Sequence, residues 1–219
     1  MRTWPLESVI VSGSAMLHGD LLVPDNAQAL IVFAHGSGSS RYSPRNRLVA
    51  GRLNAAGFGT LLCDLLSAEE HMRDAVTSEY RFDVPLLAQR LVDIIDWTGR
   101  NERTSKLPFC LFGASTGSAA ALIAAAERPQ AVKAVVSRGG RPDLAGERLE
   151  QVKAPTLLVV GSRDELVLEL NEQALSRMHA LGRLVVIPGA SHLFEEPGML
   201  EDVARHAVDW FRRYSRSLH

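Results

Sequence analysis

Short apolar runs alternate with longer stretches of helical periodicity along most of the chain, and no other feature limits its fold as much. Strands that are separated by helical crossovers pair in parallel and bury both faces of one sheet. The start of the chain differs, because the runs 7–11 and 15–23 follow each other across the turn Ser12-Gly13-Ser14. Such a turn joins antiparallel strands, so the sequence predicts a hairpin ahead of a parallel sheet.

The apolar pattern predicts further strands and helices after this hairpin. In the stretch 84–98, Leu87, Leu91 and Ile95 recur at helical spacing and form one apolar stripe. The predicted strands are 29–34, 59–63, 109–112, 132–136, 156–160 and 184–187, and the predicted helices are 46–56, 84–98, 116–127, 168–181 and 198–214. The predicted fold is therefore of the α/β class, a mostly parallel eight-stranded sheet with helices on both faces, in a single domain over residues 1–219.

Composition excludes several classes of function. The 24 basic and 25 acidic side chains give a net charge of −1, so no field of one sign attracts nucleic acid or an anionic membrane. The longest apolar run, Ala119–Ala126, is far shorter than the roughly 18 residues that a membrane span requires. Because residues 1–7 also lack the apolar core of a secretory signal, we expect a cytoplasmic protein with no nucleic-acid or membrane partner, either a monomer or a homodimer. Cys63 and Cys110 each lie within an apolar run, which is typical of buried thiols rather than of a disulfide.

A glycine-flanked serine lies directly between a predicted strand and a predicted helix, in Gly113-Ala114-Ser115-Thr116-Gly117. A serine nucleophile at such a turn adopts a strained backbone, and glycines two residues to either side remove the Cβ atoms that would collide. The following helix points the positive end of its dipole at the serine, which favours a developing oxyanion. The pattern predicts a nucleophile elbow at Ser115. The alternative is a small-residue turn that only allows close packing of helix and sheet.

A serine nucleophile needs a histidine base, and a carboxylate must orient that base. Of the seven histidines, only His192 comes after Ser115 in a loop that directly follows a predicted strand. Asp164 also follows a predicted strand, and we expect it to be the acid, although such an aspartate can instead cap the next helix. Asp143, in the loop after the preceding strand, is the second candidate for the acid. The sequence thus predicts a triad of Ser115, Asp164 and His192, in the chain order typical of this topology.

The oxyanion hole is expected to combine two backbone N–H groups, those of Thr116 and Ser37. Ser37 belongs to the loop His35-Gly36-Ser37-Gly38-Ser39-Ser40, whose small residues let its backbone approach a bound carbonyl. We expect His35 to support this loop by hydrogen bonding rather than to act as a base. A Gly-Ser loop beside a strand can also cradle phosphate, but the spacing here matches neither the P-loop nor the dinucleotide-binding pattern. We therefore expect no cofactor.

Two arginines lie near the predicted catalytic edge of the sheet. Arg41 and Arg138 could each bind a carboxylate or phosphate of the substrate, because guanidinium groups make paired hydrogen bonds to planar anions. The alternative is a structural salt bridge to Glu69, Glu70 or Asp143. Metal-binding patterns such as H-E-x-x-H and C-x-x-C do not occur, so we expect no metal.

These motifs together make the chain similar to the α/β-hydrolase superfamily, and within it to the dienelactone hydrolase-like serine hydrolases. The resemblance covers almost the whole chain. It rests on the His35-Gly36 loop, the elbow around Ser115, Asp164 after its strand, and His192 in Gly189-Ala190-Ser191-His192-Leu193-Phe194. The stretches 36–46 and 137–143 also resemble a subgroup that is sometimes fused to a phosphoribosyltransferase domain.

One residue departs from the family pattern. Dienelactone hydrolases proper carry a cysteine at the elbow, where this chain has Ser115, so the resemblance does not imply specificity for lactones. It implies esterase chemistry, in which an acyl-enzyme forms on Ser115 and is hydrolysed by water that His192 activates. The stretch from Ser137 to Ala154 is too short for the cap domain of many α/β-hydrolases. We therefore expect no large cap and an open pocket for small or medium soluble esters.

Two other functions stay open at this point. The same triad could transfer an acyl group to an acceptor other than water, or cleave a thioester or amide. Alternatively, the chain is a non-catalytic binding protein with this fold. Such proteins usually lose one member of the triad, whereas all three candidates are present here.

Overall fold

The computed structural model of the protein describes residues 5–215 and contains one eight-stranded sheet. Its strands are β1 Leu6–Ser12, β2 Ala15–Leu22, β3 Leu30–Ala34, β4 Gly59–Cys63, β5 Phe109–Ala114, β6 Val132–Arg138, β7 Thr156–Gly161 and β8 Gly182–Ile187. The helices are α1 Pro44–Ala55, α2 Ala68–Thr77, α3 Val84–Arg100, α4 Thr116–Glu127, α5 Glu165–Arg177 and α6 Met199–Tyr214. A 3₁₀ segment, Pro142–Gln151, is all that separates β6 from β7.

The strand order is β1-β2-β4-β3-β5-β6-β7-β8. Strands β1 and β2 form the predicted antiparallel hairpin, and β2 also pairs antiparallel with β4. From β4 to β8 all neighbouring strands are parallel. The predicted fold class is therefore confirmed. The carboxyl ends of the parallel strands share one edge of the sheet, which is where ligands bind in sheets of this kind.

Helices cover both faces of the sheet and divide the core in two. Along β5, Leu111 belongs to the core beneath α3 and α4, and Phe112 belongs to the core beneath α1 and α6. Neighbouring residues point to opposite faces because side chains alternate along a strand. Every residue of β3, β4 and β5 is buried, so these central strands show no alternation of buried and exposed residues.

One helix was not predicted. In α2 only Asp74 is buried, so the helix has no apolar stripe that periodicity would reveal. A different signal was present, since Ser67 caps the helix while the Glu70 side chain accepts the Ser67 backbone N–H. This reciprocal capping box marks a helix start in the sequence.

The cysteines are free, buried thiols, as predicted. Burial raises the pKa of both, that of Cys110 to about 12. No helix within residues 5–215 has the length and apolar character to cross a membrane. Residues 1–4, on which part of the signal-peptide argument depends, and His219 lie outside the described part of the chain.

Candidate active site

Ser115 occupies a sharp turn between the last residue of β5 and the first residue of α4. Its φ of 50° and ψ of −125° lie in a region that side chains other than glycine rarely adopt. Backbone strain of this kind costs about 1–3 kcal/mol, persists only where the surroundings impose it, and is common at active sites. The predicted elbow geometry is therefore present at Ser115.

The two flanking glycines allow the surrounding backbone to close on the turn. A Cβ on Gly113 would lie 2.5 Å from the Cα of Ser118 in α4. A Cβ on Gly117 would lie 2.3 Å from the carbonyl oxygen of Ala34 and 2.4 Å from that of His35. These neighbours are backbone atoms and cannot rotate away, so α4 can approach β3 and β5 this closely only with glycine at both positions.

Gly117→Ala is expected to lower the free energy of unfolding by at least about 3 kcal/mol, since overpacking against backbone forces the elbow apart. That corresponds to a fall in the melting temperature of about 6–12 °C for a chain of this size. Gly51→Ala is the matched control, because this exposed helical glycine has no atom within 4 Å of an added Cβ. Calorimetry should find the control unchanged or slightly stabilised. Equal melting temperatures for the two variants would contradict this account of the elbow.

His192 and Asp164 meet at the same edge of the sheet. His192 Nδ1 lies 2.6 Å from Asp164 Oδ2. Asp164 follows β7 and its side chain is 16% exposed, while His192 follows β8 and its side chain is 39% exposed. The Asp164 side chain makes no hydrogen bond to the start of α5, so it orients the histidine instead of capping the helix.

Backbone contacts hold together the loops that follow β7 and β8. The N–H of Arg163 donates to the carbonyl oxygen of Ala190 at 3.0 Å. A Cβ on Gly161 would lie 2.3 Å from that same oxygen, so the close approach requires glycine. The second candidate for the acid, Asp143, accepts two hydrogen bonds from Arg141, at 2.9 and 2.7 Å. It is therefore engaged by its own arginine, and the geometry favours Asp164.

The end of β6 borders both Ser115 and His192. The Ser115 N–H donates to the Arg138 carbonyl oxygen at 3.2 Å, and a Cβ on the next residue, Gly139, would lie 3.6 Å from His192 Cε1. Within residues 5–215 the Ser115 hydroxyl makes no hydrogen bond to His192. Such bonds are often long in the absence of substrate and tighten when it binds. The structure thus pairs His192 with Asp164 and brings both the serine and the histidine against the end of β6.

Ser37 lies against the elbow, but its N–H has a partner. It donates to Thr116 Oγ1 at 2.9 Å, and a Cβ on neighbouring Gly36 would lie 3.1 Å from Ser115 Cβ. The Thr116 N–H is among the first groups of α4, which lack an acceptor within the helix. The sequence did not indicate that the Thr116 side chain holds the loop. The Ser37 N–H already donates a hydrogen bond to Thr116 Oγ1. It can bind an oxyanion only if it donates to both oxygens or leaves Thr116 Oγ1.

His35 supports this loop, as expected. The Leu65 N–H donates to its Nε2 at 3.0 Å, so the proton lies on Nδ1, which donates to the Gly36 carbonyl oxygen at 2.9 Å. Burial lowers the pKa of His35, which keeps the ring neutral. Both ring nitrogens are occupied by backbone groups.

The structure corrects the expectation for Arg41. Its guanidinium lies 2.8 Å from Asp64, 3.2 Å from Glu7 and 3.4 Å from Asp20. Three carboxylates therefore surround it, and none of them is among the partners that the sequence suggested. With its charge compensated in this way, Arg41 is committed to a structural network that ties β1, β2 and β4 to the loop after β3. This arrangement favours a structural role for Arg41 over the binding of a substrate anion.

Arg138 is also placed differently from the expectation. The residue is only 7% exposed, and its Nε and Nη1 atoms are buried without a hydrogen-bond partner within residues 5–215. Burial, together with the nearby charge of Arg45, lowers its pKa to about 10. The predicted salt bridge is absent among the described residues, and the guanidinium is not presented on an open surface.

A cavity of about 330 Å³ adjoins the loop after β3. Its lining includes His35, Ser39, Ser40, Asp64 and His71. A second cavity, of about 400 Å³, lies between β8 and α6, away from Ser115 and His192. Within the described part of the chain, no group of three or more His, Cys, Asp or Glu side chains could hold a metal ion. The first cavity borders the Gly-Ser loop after β3, and its lining includes neither Ser115 nor His192.

Comparisons with known proteins agree with this architecture. A family model for an alpha/beta hydrolase domain matches residues 27–209. The crystal structure of a dienelactone hydrolase from Anabaena variabilis superposes with a TM-score of 0.95 at 55% sequence identity, covering 98% of this chain and 100% of that one. Est1E from Butyrivibrio proteoclasticus superposes with a TM-score of 0.76, covering 94% of this chain and 99% of that one. At 16% identity the second likeness concerns the fold alone.

Another relative is named as a transferase rather than as a hydrolase. The chain is 54% identical over 205 residues to a Mycobacterium tuberculosis protein named "Putative phosphoribosyl transferase". The match covers 94% of this chain but 45% of the relative, so this chain spans less than half the length of that protein.

Proposed function

Because the chain belongs to the alpha/beta hydrolase family and is dienelactone hydrolase-like, we propose that it is a serine hydrolase that cleaves small to medium carboxylic esters. One observation carries the proposal. A serine in a strained turn, at φ 50°, lies on the same edge of the sheet as a histidine that an aspartate holds at 2.6 Å. A turn that served only close packing would not require the histidine and aspartate beside it.

In the proposed reaction, Ser115 Oγ attacks the acyl carbon of the ester while His192 Nε2 takes the hydroxyl proton. Asp164 accepts a hydrogen bond from the Nδ1–H of His192 and stabilises the positive charge that forms on the imidazole ring. The tetrahedral intermediate then collapses, and the alkoxide leaves as alcohol with the proton from His192. Water, deprotonated by His192, attacks the acyl-enzyme by the reverse path and releases the carboxylic acid. These steps call for no cofactor.

The oxyanion of the intermediate is stabilised at the start of α4. The Thr116 N–H and the positive end of the helix dipole point at the elbow, where negative charge develops. We propose that the Ser37 N–H contributes as the second donor by turning from Thr116 Oγ1 to the substrate oxygen. Removing one donor of an oxyanion hole typically costs about 10²–10³ in kcat, so each donor is a substantial part of the rate.

The name of the Mycobacterium tuberculosis relative does not change this proposal. That protein is more than twice as long as the matched region, and the name applies to the whole of it. The matched region here contains the elbow, the histidine and the aspartate, which are the groups that acyl transfer requires. Phosphoribosyl transfer is therefore not proposed for these residues.

Mass spectrometry of the intact protein after exposure to a fluorophosphonate tests the proposal without a guess about the substrate. The native protein should gain the mass of one adduct, and Ser115→Ala should gain none. No adduct on the folded native protein would contradict the proposal and favour a non-catalytic binding protein. Product analysis with an added alcohol or thiol distinguishes hydrolysis from acyl transfer to another acceptor.

A further inference from the structure

Arg138 carries a charge for which the structure supplies no counterion. The residue is 7% exposed, and neither Nε nor Nη1 has a partner within residues 5–215. Every other buried or half-buried arginine in this range has a carboxylate within 4 Å, as Arg90 has Glu70 at 2.7 Å. Leaving a buried charge unpaired costs several kcal/mol, so a native protein rarely tolerates it without an unseen partner.

The side chain lies on the α1 and α6 side of the sheet. Ala134 and Val136 belong to the core on that face, and Arg138 follows them at the same alternation along β6. Phe194, from the loop that carries His192, lies close by, with Cε2 3.5 Å from a Cβ on Gly139. Arg138 is therefore buried on this face at the end of β6, next to the loop that carries His192.

The nearest charge that acts on Arg138 is another cation. Arg45, at the start of α1, lowers the pKa of Arg138, and its own Nε is buried without a partner. Arg45 pairs with Glu195 at 3.1 Å, but Glu195 is 61% exposed and faces outward. Glu195 thus compensates Arg45 from the solvent side, and no described carboxylate lies within 4 Å of Arg138.

The start of α1 adds to this positive field. Its first turn contains no acidic residue that would compensate the helix dipole. Asn46, also in that turn, is 2% exposed, and its Oδ1 is buried without a hydrogen-bond partner in the described range. Its amide can turn to present N–H groups instead. Three side chains that each contain a buried polar atom without a partner, two of them cationic, therefore occupy the same end of the same face.

We propose that Arg138, Arg45 and Asn46 form a binding site for a small monovalent anion of the size and hydration of chloride. Nε and Nη1 of Arg138 are closed to solvent, so an anion that reaches them must be small and must lose its water shell readily. A bound anion would satisfy the unpaired N–H groups and link β6, α1 and the loop that carries His192. This site is independent of the proposed esterase activity, because none of its three side chains takes part in the triad.

The melting temperature at constant ionic strength tests the site, with potassium gluconate replaced stepwise by potassium chloride. The melting temperature of the native protein should rise by about 5–10 °C at a chloride concentration one hundred times the dissociation constant. Arg138→Met should show no such rise, and in gluconate alone it should melt above the native protein because an unpaired buried charge is gone. Arg148→Met is the matched control, since Arg148 is half exposed and has a carboxylate partner in Glu127, and it should respond to chloride like the native protein.

Anomalous diffraction from crystals soaked in bromide gives a direct readout that does not depend on any variant. A bromide peak between Arg138 and Arg45 would support the site, and Arg45→Met should then weaken the chloride response. A water molecule at that position, together with a melting temperature that does not change with chloride, would overturn the proposal. An equal chloride response in native protein and Arg138→Met would also overturn it. A failed fluorophosphonate test would leave these outcomes unaffected.

Discussion

Ser115→Ala should lower kcat for hydrolysis of a short nitrophenyl ester by about 10⁶-fold, with little change in the melting temperature. Alanine keeps the Cβ at the strained φ of 50°, so the backbone energy of the elbow stays nearly the same. What disappears is the hydroxyl that attacks the acyl carbon. Steady-state kinetics at saturating ester, with calorimetry on the same preparation, measure the two effects separately.

Ser118→Ala is the control for that experiment. Ser118 lies one turn further along α4, and its buried hydroxyl has no hydrogen-bond partner within residues 5–215. Removing it should leave kcat within about threefold of the native value, because no catalytic contact is lost. A comparable rate in Ser115→Ala and Ser118→Ala would mean that ester cleavage does not proceed through Ser115.

Asp164→Asn should lower kcat by on the order of 10⁴ at neutral pH. The carboxylate accepts the proton of His192 Nδ1 at 2.6 Å, which leaves Nε2 free to take the serine proton. An amide at this position can donate to Nδ1 and move the proton to Nε2, which then cannot act as a base. Stability should change little, since Asp164 makes no capping hydrogen bond to α5.

Asp143→Asn is the matched control, because both aspartates follow strands at the same edge of the sheet. The Asp143 carboxylate is bound by Arg141, so its loss should leave kcat within severalfold of the native value. The full pH–rate profile of both variants should be measured alongside kcat. An active Asp164→Asn together with an inactive Asp143→Asn would reassign the acid.

The strands and most helices could be predicted because burial dictates their sequence pattern. Helix 116–127 and strand 59–63 have the predicted bounds, since most of their residues are buried. Helix α5 begins at Glu165, three residues before the predicted start, so its first turn was missed although it contains Leu166 and the buried Val167. Helix α2 could not be found from periodicity because Asp74 is its only buried residue.

The candidate site was predictable where it depends on strand ends and chain order, as for Ser115, Asp164 and His192. It was not predictable where it depends on side chains that meet across the fold. The hydrogen bond from Ser37 to Thr116 and the carboxylates around Arg41 join residues far apart in sequence. No local pattern records such pairs, because they arise only when the strand order is set.

The strand order also determines when this protein can complete its fold during synthesis. Strand β3 pairs with β5, so the middle of the sheet can form only after residues 109–114 have been synthesised. One face stays uncovered longer still, because α6 supplies Val203 and Phe211 to the core that contains Phe33 and Phe112. A nascent chain therefore exposes an apolar sheet face until α6 has left the ribosome, and exposed surface of this kind favours aggregation. In the proposed mechanism, Ser115 also lacks its orienting acid and its base until residues 164–192 have been synthesised.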